Sequence, residues 1–411
     1  IDLKTFFASV ECSERHLDPF KTNLVVADPT RGNGALCLAI TPQMKSMGIH
    51  NRCRIFEIPK GVEYITAMPR MHLYMEYSAR IYRIYCCYVS PDDIHVYSID
   101  ECFIDITSYM HLYHKSAKEF AKMLMQAVFE DTHITATCGI GTNLYLAKVA
   151  LDIISKHTKE NIGILDEERY QKYLWHHLPI TDFWHMGSGT ANHLLKLGVV
   201  DMHGITQVPE EILYKEFGIN AEYIIDHAWG REPATIASIK KYRPKNESIN
   251  NSQVLFSDYE YEDAILVVKE MVELNVLRLV ESRLVTNHIS LYIGYSRTDG
   301  GGWAGGSRKL TVRTNSLSVL MDAFISIYHL KVQKGRLIRQ ISISFGDVLD
   351  EAYESYDLFS DIEALEEEKK LQKAIVSIRH KYGKNAILKL MNKQEKATTE
   401  KRNTLIGGHN A

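Results

Sequence analysis

The sequence predicts an α+β protein of several domains, on two observations. The chain has 411 residues, well past the ~250–300 at which a single hydrophobic core stops growing. Short strand-like runs also alternate with helix-periodic ones, and a polar, cationic stretch without apolar periodicity, residues 239–250, reads as an interdomain linker.

Taken in order, residues 1–11, 24–27 and 35–40 read as short strands broken by Asp28, Pro29, Gly32 and Gly34. A helix is expected over 71–85, a strand over 95–106, a helix over 116–129 with Ala117, Phe120, Leu124 and Val128 on one face, and a strand over 134–139. That alternation describes a sheet backed by helices. Residues 166–231 show short helices and turns. Among them, Gly187, Ser188 and Gly189 before 190–197 suit a helix-hairpin-helix, whose turn can offer backbone amides to a phosphate.

Beyond the linker, a strand at 252–256 precedes a helix at 262–283 that aligns Ile265, Val268, Val272, Val276 and Leu279. Strands follow at 288–295 and 308–313, then a helix aligning Leu317, Leu320, Met321, Phe324, Ile325 and Tyr328. The last strand alternates Ile341, Ile343 and Phe345 with Gln340, Ser342 and Ser344. The order β-α-β-β-α-β is ferredoxin-like. Its sheet should bury Leu310, Val312, Ile341 and Ile343, leaving Lys309, Thr311, Arg313, Gln340, Ser342 and Ser344 on the other face. Hydroxyls, amides and cations on one face suit a phosphate backbone, and they equally describe an ordinary solvated sheet. The glycines 300–302, 305 and 306 around Trp303 fit a phosphate cradle or a plain hairpin loop. After Asp347 the tail is acidic through Glu368, then basic and helical over 371–382, and its polar end is expected to be mobile.

Composition removes several classes of function. Apolar residues make up 45% and charged residues 24%, and no apolar run approaches the ~18 residues of a membrane span. Seven cysteines without a C-x-x-C pair argue for reduced thiols in a cytoplasmic chain, against a disulfide framework or a zinc finger. A net charge of -3 does not mark a nucleic-acid binder, but it averages over domains and leaves room for a basic groove. The chain opens at Ile1, inside a strand pattern and without a signal-peptide pattern, so a few residues are expected to precede it.

Three acids stand out. Asp2 begins one apolar run, and Asp100 and Glu101 interrupt another after Tyr97, Ser98 and Ile99. Acids inside strands need a reason. Consecutive strand residues point to opposite faces, so Asp100 and Glu101 reach one site only if the chain bends there, as at a tight hairpin. Three carboxylates from two strands can hold two magnesium ions ~3.5–4 Å apart for in-line phosphoryl displacement. Without further context the same acids could cap turns or pair with lysines and arginines.

The segments Asp2-Leu3-Lys4-Thr5-Phe6-Phe7-Ala8-Ser9-Val10-Glu11 and Tyr97-Ser98-Ile99-Asp100-Glu101 resemble the paired signatures of Y-family polymerases of the UmuC/DinB type. The resemblance continues through Gly139-Ile140-Gly141-Thr142-Asn143, Leu146-Ala147-Lys148, Asp152 and Leu194-Leu195-Lys196-Leu197-Gly198, and covers roughly residues 1 to 345. It implies an error-prone, DNA-directed DNA polymerase that copies past damaged bases in a bacterial DNA-damage (SOS) response. It implies a right-hand architecture: ferredoxin-like palm and fingers over 1–165 (fingers about 20–75), helical thumb over 166–238, linker over 239–250, little finger over 251–347 and a tail over 348–411.

The resemblance also implies roles. Asp2, Asp100 and Glu101, helped by the Leu3 carbonyl, would hold two Mg2+ ions. Phe7 would be the steric gate beneath the sugar, with Phe6 beside it, an aromatic ring that clashes with a 2′-hydroxyl. Lys45 and Lys156 would contact the triphosphate, and Lys309, Thr311, Arg313, Ser342 and Ser344 the primer-template DNA. Ser355-Tyr356-Asp357-Leu358-Phe359 resembles a sliding-clamp binding peptide through Leu358 and Phe359, lacking its usual leading glutamine. Other departures are Thr41-Pro42 in place of a frequent tyrosine, Lys45 for a frequent arginine, one extra residue before Lys156, and His185-Met186-Gly187 for a Gly-x-Gly hairpin. Two competing readings are another two-metal nucleotidyl enzyme and a noncatalytic, DNA-binding or clamp-recruited regulator.

Overall fold

The structure, a computed structural model, describes residues 1–244, 247–358 and 360–411. It divides into two compact units, Ile1–Tyr242 and Arg243–Ala411.

In the first unit, β1 (Asp2–Leu3) runs straight into α1 (Phe6–Glu14), so the strand expected over 1–11 ends after two residues. Thr5 turns the chain in the left-handed region at φ 48, and Ser9 Oγ donates to the Lys4 carbonyl at 2.7 Å. The misreading has a physical cause. Phe6, Ala8, Ser9, Val10, Glu11 and Cys12 are all buried, and a helix covered nearly all round shows no period that separates it from a strand.

β2 (Leu24–Val26) pairs antiparallel with β3 (Ala39–Ile40) and parallel with β4 (Ile65–Ala67). The short α2 (Pro42–Ser46) completes this small layer, and α3 (Met71–Cys86) follows. The expected strand over 95–106 is a hairpin of β5 (Ile94–Val96) and β6 (Cys102–Ile104). α4 (Thr107–Leu112) leads to α5 (Ala117–Thr132), whose capping box joins Ser116 and Glu119. Its Phe120, Leu124 and Val128 pack with Leu3, Val10, Ile134 and Ala136 in one core.

β7 (Ala136–Gly141) lies between β1 and β8 (Ile162–Leu165), the latter pair parallel across α6 (Leu144–Val149). Gly139 and Gly141 have a reason to be glycine. A Cβ at Gly139 would lie 2.0 Å from the Ala147 carbonyl oxygen, and one at Gly141 2.2 Å from the Ala147 nitrogen. The helix therefore rests directly on the strand backbone.

The rest of this unit is helical: α7 (Glu167–Leu174), α8 (Ser188–Lys196), α9 (Met202–Thr206), α10 (Glu210–Phe217), α11 (Ala221–Ala228) and α12 (Ile236–Lys241). The last of these occupies the start of the expected linker, fixed by Thr235 and Ser238 in reciprocal capping bonds. Around the expected helix-hairpin-helix, His185 is left-handed at φ 66, Met186 is buried and Gly187 caps α8.

The second unit runs β9 (Glu247–Tyr259), α13 (Tyr261–Glu281), β10 (Leu284–Tyr295), β11 (Trp303–Thr314), α14 (Leu317–Lys331) and β12 (Ile338–Asp350), the expected β-α-β-β-α-β order. The sheet order β11-β10-β12-β9 makes each helical crossover skip one strand. β9 begins within the stretch expected as linker because its polar first half pairs with β12, Ile249 opposite Phe345. The glycine-rich stretch is partly strand, with Gly305 opposite Tyr292. Ile341 and Ile343 are buried, while Leu310 and Val312, on edge strand β11, are half-buried.

The helix expected over 371–382 is α15 (Ile362–Tyr382), which packs on α13, whereas the polar end, expected to be mobile, is folded into α16 (Thr399–Arg402) and a hairpin of β13 (Leu405–Ile406) and β14 (His409–Asn410). The reason is a carboxylate. Glu270 on α13 is fully buried, and it accepts from Asn392 Nδ2 at 3.0 Å, Thr398 N at 2.7 Å and Thr399 N at 3.2 Å. A buried charge demands such donors, and the tail supplies them.

Candidate active site

The hairpin that the adjacent acids required is present. Tyr97 N and Ser98 N both donate to the Glu101 carbonyl, reversing the chain between β5 and β6. β6 then meets β1 edge to edge: Ile1 N donates to Cys102 O at 2.9 Å, Leu3 N to Asp100 O at 3.0 Å, and Asp2 pairs with Glu101. Asp2 and Glu101 are thus set side by side by backbone pairing, with Asp100 at the bend.

The charge here is crowded. Burial, then the negative charges of Glu101 and Asp100, push the Asp2 carboxyl up to about 7. Each partner is already engaged. Ser98 Oγ donates to Asp100 Oδ1 at 2.6 Å, and Lys148 Nζ donates to Glu101 Oε1 at 2.5 Å while pairing with Asp152 at 3.3 Å. The side-chain oxygens of the three acids do not all come within 4.8 Å of one another. The donor set nonetheless fits hard cations, which take carboxylate oxygens, and the unrelieved charge on Asp2 is what a cation would neutralise.

Lys148 belongs to the family-like segment Leu146-Ala147-Lys148, and the resemblance gives it no role. It is buried on α6, beneath the Tyr97 ring at 5.5 Å, and is held above the usual lysine range despite burial by its hydrogen bond to Glu101 and the charge of Asp152. A signal existed, a lysine in an apolar helix with an acid four residues on. Asn143 fixes this helix, capping it through Leu146 N and donating to Gly230 O at 2.9 Å.

Phe6 and Phe7 sit on a helix rather than a strand, so they point about 100° apart. Phe6 is in the core, and half-exposed Phe7 stacks on Tyr74 at 4.6 Å. Tyr74 donates to buried Glu11 at 2.7 Å, and Arg70 contacts both Glu11 oxygens, at 3.0 and 2.7 Å. Arg15 adds a third donor. This network locks α1 to α3 beneath Phe7.

Lys45 and Lys156 are both exposed. Desolvation and then the neighbouring charge of Lys156 hold Lys45 below the usual lysine range, with Lys4 adding to that repulsion and Asp2 opposing it. Lys4 and Lys156 therefore both lie within electrostatic reach of Lys45, and Lys4 and Lys45 within reach of Asp2. Lys156 also pairs with Asp152 at 3.8 Å. Thr41 is structural: its buried hydroxyl donates to Thr22 O at 2.7 Å and accepts from Leu24 N, and Pro42 opens α2.

In the second unit, Lys309, Ser342 and Ser344 lie opposite His288, Tyr292 and Ser290 on one sheet face. Beyond Lys309 the pairing of β11 with β10 shifts register before Thr314, and in that stretch lie Thr311, exposed, and Arg313, which donates to the Asp347 carbonyl. Leu358 is 98% exposed, and Phe359 lies outside the described residues.

Residues 1–152 match the impB/mucB/samB family. Over 413 residues the chain is 30% identical to a protein of Bacillus subtilis (strain 168) named UvrX for UV-damage repair, covering 100% of this chain and 96% of that one. The chain belongs to the impB/mucB/samB family of Y-family DNA polymerases. This Y-family polymerase is also 27% identical over 417 residues to DNA polymerase IV 2 of the same organism, with 100% and 97% of the two chains covered. Its fold matches a solved Y-family DNA polymerase chimera of Dbh and Dpo4, with TM-score 0.63, 20% identity, and 85% and 98% coverage. No helix among the described residues is long and apolar enough to cross a membrane.

Proposed function

We propose that this Y-family polymerase performs error-prone translesion DNA synthesis by nucleotidyl transfer at Asp2, Asp100 and Glu101. The primer 3′-hydroxyl attacks the α-phosphate of a deoxynucleoside triphosphate. The observation that carries this reading is the crowding of three acids at one sheet edge, strong enough to push Asp2 up to about 7, with Lys4 and Lys45 within electrostatic reach of Asp2.

Asp2, Asp100, Glu101 and the Leu3 carbonyl would hold two Mg2+ ions, which when bound supply Lewis-acid stabilisation to the attacking and leaving oxygens. The chain's own groups do the positioning. Lys148 and Ser98 fix the directions of Glu101 and Asp100. Lys45, Lys156 and Lys4 draw in the triphosphate, and Phe7, braced on Tyr74 with Phe6 behind it, closes the floor beneath the sugar. In this reading residues 1–165 are palm and fingers, 166–238 thumb, 251–347 little finger and 348–411 the tail. The face carrying Lys309, Thr311, Arg313, Ser342 and Ser344 lies along the primer-template duplex. Exposed Leu358 is the recognisable half of a sliding-clamp peptide, and the setting is a cytoplasmic SOS response.

The test is extension of a labelled primer on a DNA template with Mg2+ and deoxynucleotides, comparing wild type with Asp100→Ala plus Glu101→Ala. Template-directed extension that disappears in the double variant is expected. A folded wild type that binds DNA and extends nothing would favour the noncatalytic regulator.

A further inference from the structure

We infer that the helical part of the first unit carries a transition-metal site, of the kind zinc occupies, formed by His176, Asp201 and His203. Each of these residues places a ligand atom within 4.8 Å of those of the other two. One ion with bonds of ~2.0–2.2 Å holds its ligands up to roughly 4 Å apart, so small torsional adjustments close the set.

The geometry around the three is prepared. His176 Nδ1 lies 2.8 Å from Asp201 Oδ2. The other oxygen, Asp201 Oδ1, accepts from Gly204 N at 2.7 Å as the cap of α9, so Oδ2 is the atom left to ligate. His203 stands two residues further on. Its backbone N donates to Trp175 O at 3.1 Å, and its ring packs on Trp175 at 5.0 Å and on His176 at 4.9 Å. Trp175 is itself anchored by donating to Ala228 O at 2.8 Å. Two chain segments 25 residues apart thereby converge on one point.

The donor chemistry separates this site from the acids of the polymerase centre. Two imidazole nitrogens and one carboxylate suit zinc, cobalt or nickel, whereas an all-oxygen set suits magnesium. The His176 side chain is 69% exposed, so the remaining coordination position faces water. A bound ion would clip α9 to the segment that follows α7.

Cobalt(II), a visible-absorbing substitute for zinc, would be titrated into the full chain, and zinc-dependent thermal shifts measured in parallel. We expect nitrogen-ligand absorption bands in the wild type, kept in Asp100→Ala plus Glu101→Ala, where they saturate at one cobalt per chain. The affinity should fall by more than about 100-fold in His203→Ala and in His176→Ala, since even outer-shell partners change metal affinity ~10–100-fold. His176→Ala removes a mostly exposed side chain, so its fold should survive, as circular dichroism would verify. Wild-type affinity and bands in both histidine variants, or their loss only in the acid double variant, would overturn the proposal.

Discussion

Replacing Gly141 by alanine asks whether the contact between α6 and β7 sets the geometry of the proposed active site. The added Cβ would sit 2.2 Å from Ala147 N, 2.5 Å from Leu146 C and 2.8 Å from Ala147 Cα. All three atoms are helix backbone, so no side-chain rotation relieves the clash. Reaching ordinary contact at ~3.5 Å requires α6 to retreat by more than about 1 Å. Lys148 rides on that helix, 2.5 Å from Glu101, and the retreat breaks the contact. Overpacking of this kind costs about 1–3 kcal/mol of stability, and a misplacement of about 1 Å costs ~100-fold in rate. Single-nucleotide extension kinetics and urea unfolding of Gly141→Ala read both effects, and Lys148→Met should reproduce the loss of rate. A folded Gly141→Ala with wild-type turnover would refute the argument that this close approach positions Glu101.

Glu11→Gln should cost about 3 kcal/mol in urea unfolding, the low end for breaking a buried pair, because Arg15 and Arg70 remain partly hydrated. Burial alone would raise the Glu11 pKa, but hydrogen bonds from Arg70, Tyr74 and Arg15 bring it below its ordinary 4.5. Its contribution is therefore present above about pH 4.5 and lost as pH falls through the lowered value, so Glu11→Gln should flatten the acid limb of the stability profile. Phe7→Ala should weaken discrimination against ribonucleotides by roughly 10–200-fold in kcat/KM ratios, the range for emptying one pocket position; unchanged discrimination would remove Phe7 from the gate. Leu358→Ala with Phe359→Ala should abolish pull-down of a sliding clamp while leaving primer extension on short templates intact; retained pull-down would exclude this peptide.

Much of the second unit was legible because β12 alternates buried and half-buried residues and because α13, although covered nearly all round, is 21 residues long, enough for its spacing to repeat. The alternation of Ile341, Ile343 and Phe345 and the spacing of Val268, Val272 and Val276 state their periods openly. α1 was not legible as a helix, since in nine residues, most of them buried, period carries no information. Asp2, Asp100 and Glu101 were visible as misplaced charges, and the required bend between the last two is a hairpin. Lys148 was passed over because its partner Glu101 lies 47 residues away, a contact no local pattern encodes. The tail misled for a similar reason: its polar composition suggested solvent, while its partner, Glu270, lies in another helix.

That partnership has a consequence for how the chain is made. Asn392 and Thr398 follow Glu270 by 122 and 128 residues. At a synthesis rate of ~5–20 residues per second, Glu270 waits roughly 6–25 s before its donors exist. Through that interval α13 holds a carboxylate that must stay hydrated, so the second unit's helical layer cannot close over it. Every residue of the first unit, Ile1–Tyr242, precedes Glu270, so the core of the second unit is the last part of this enzyme's fold to be supplied with its partners.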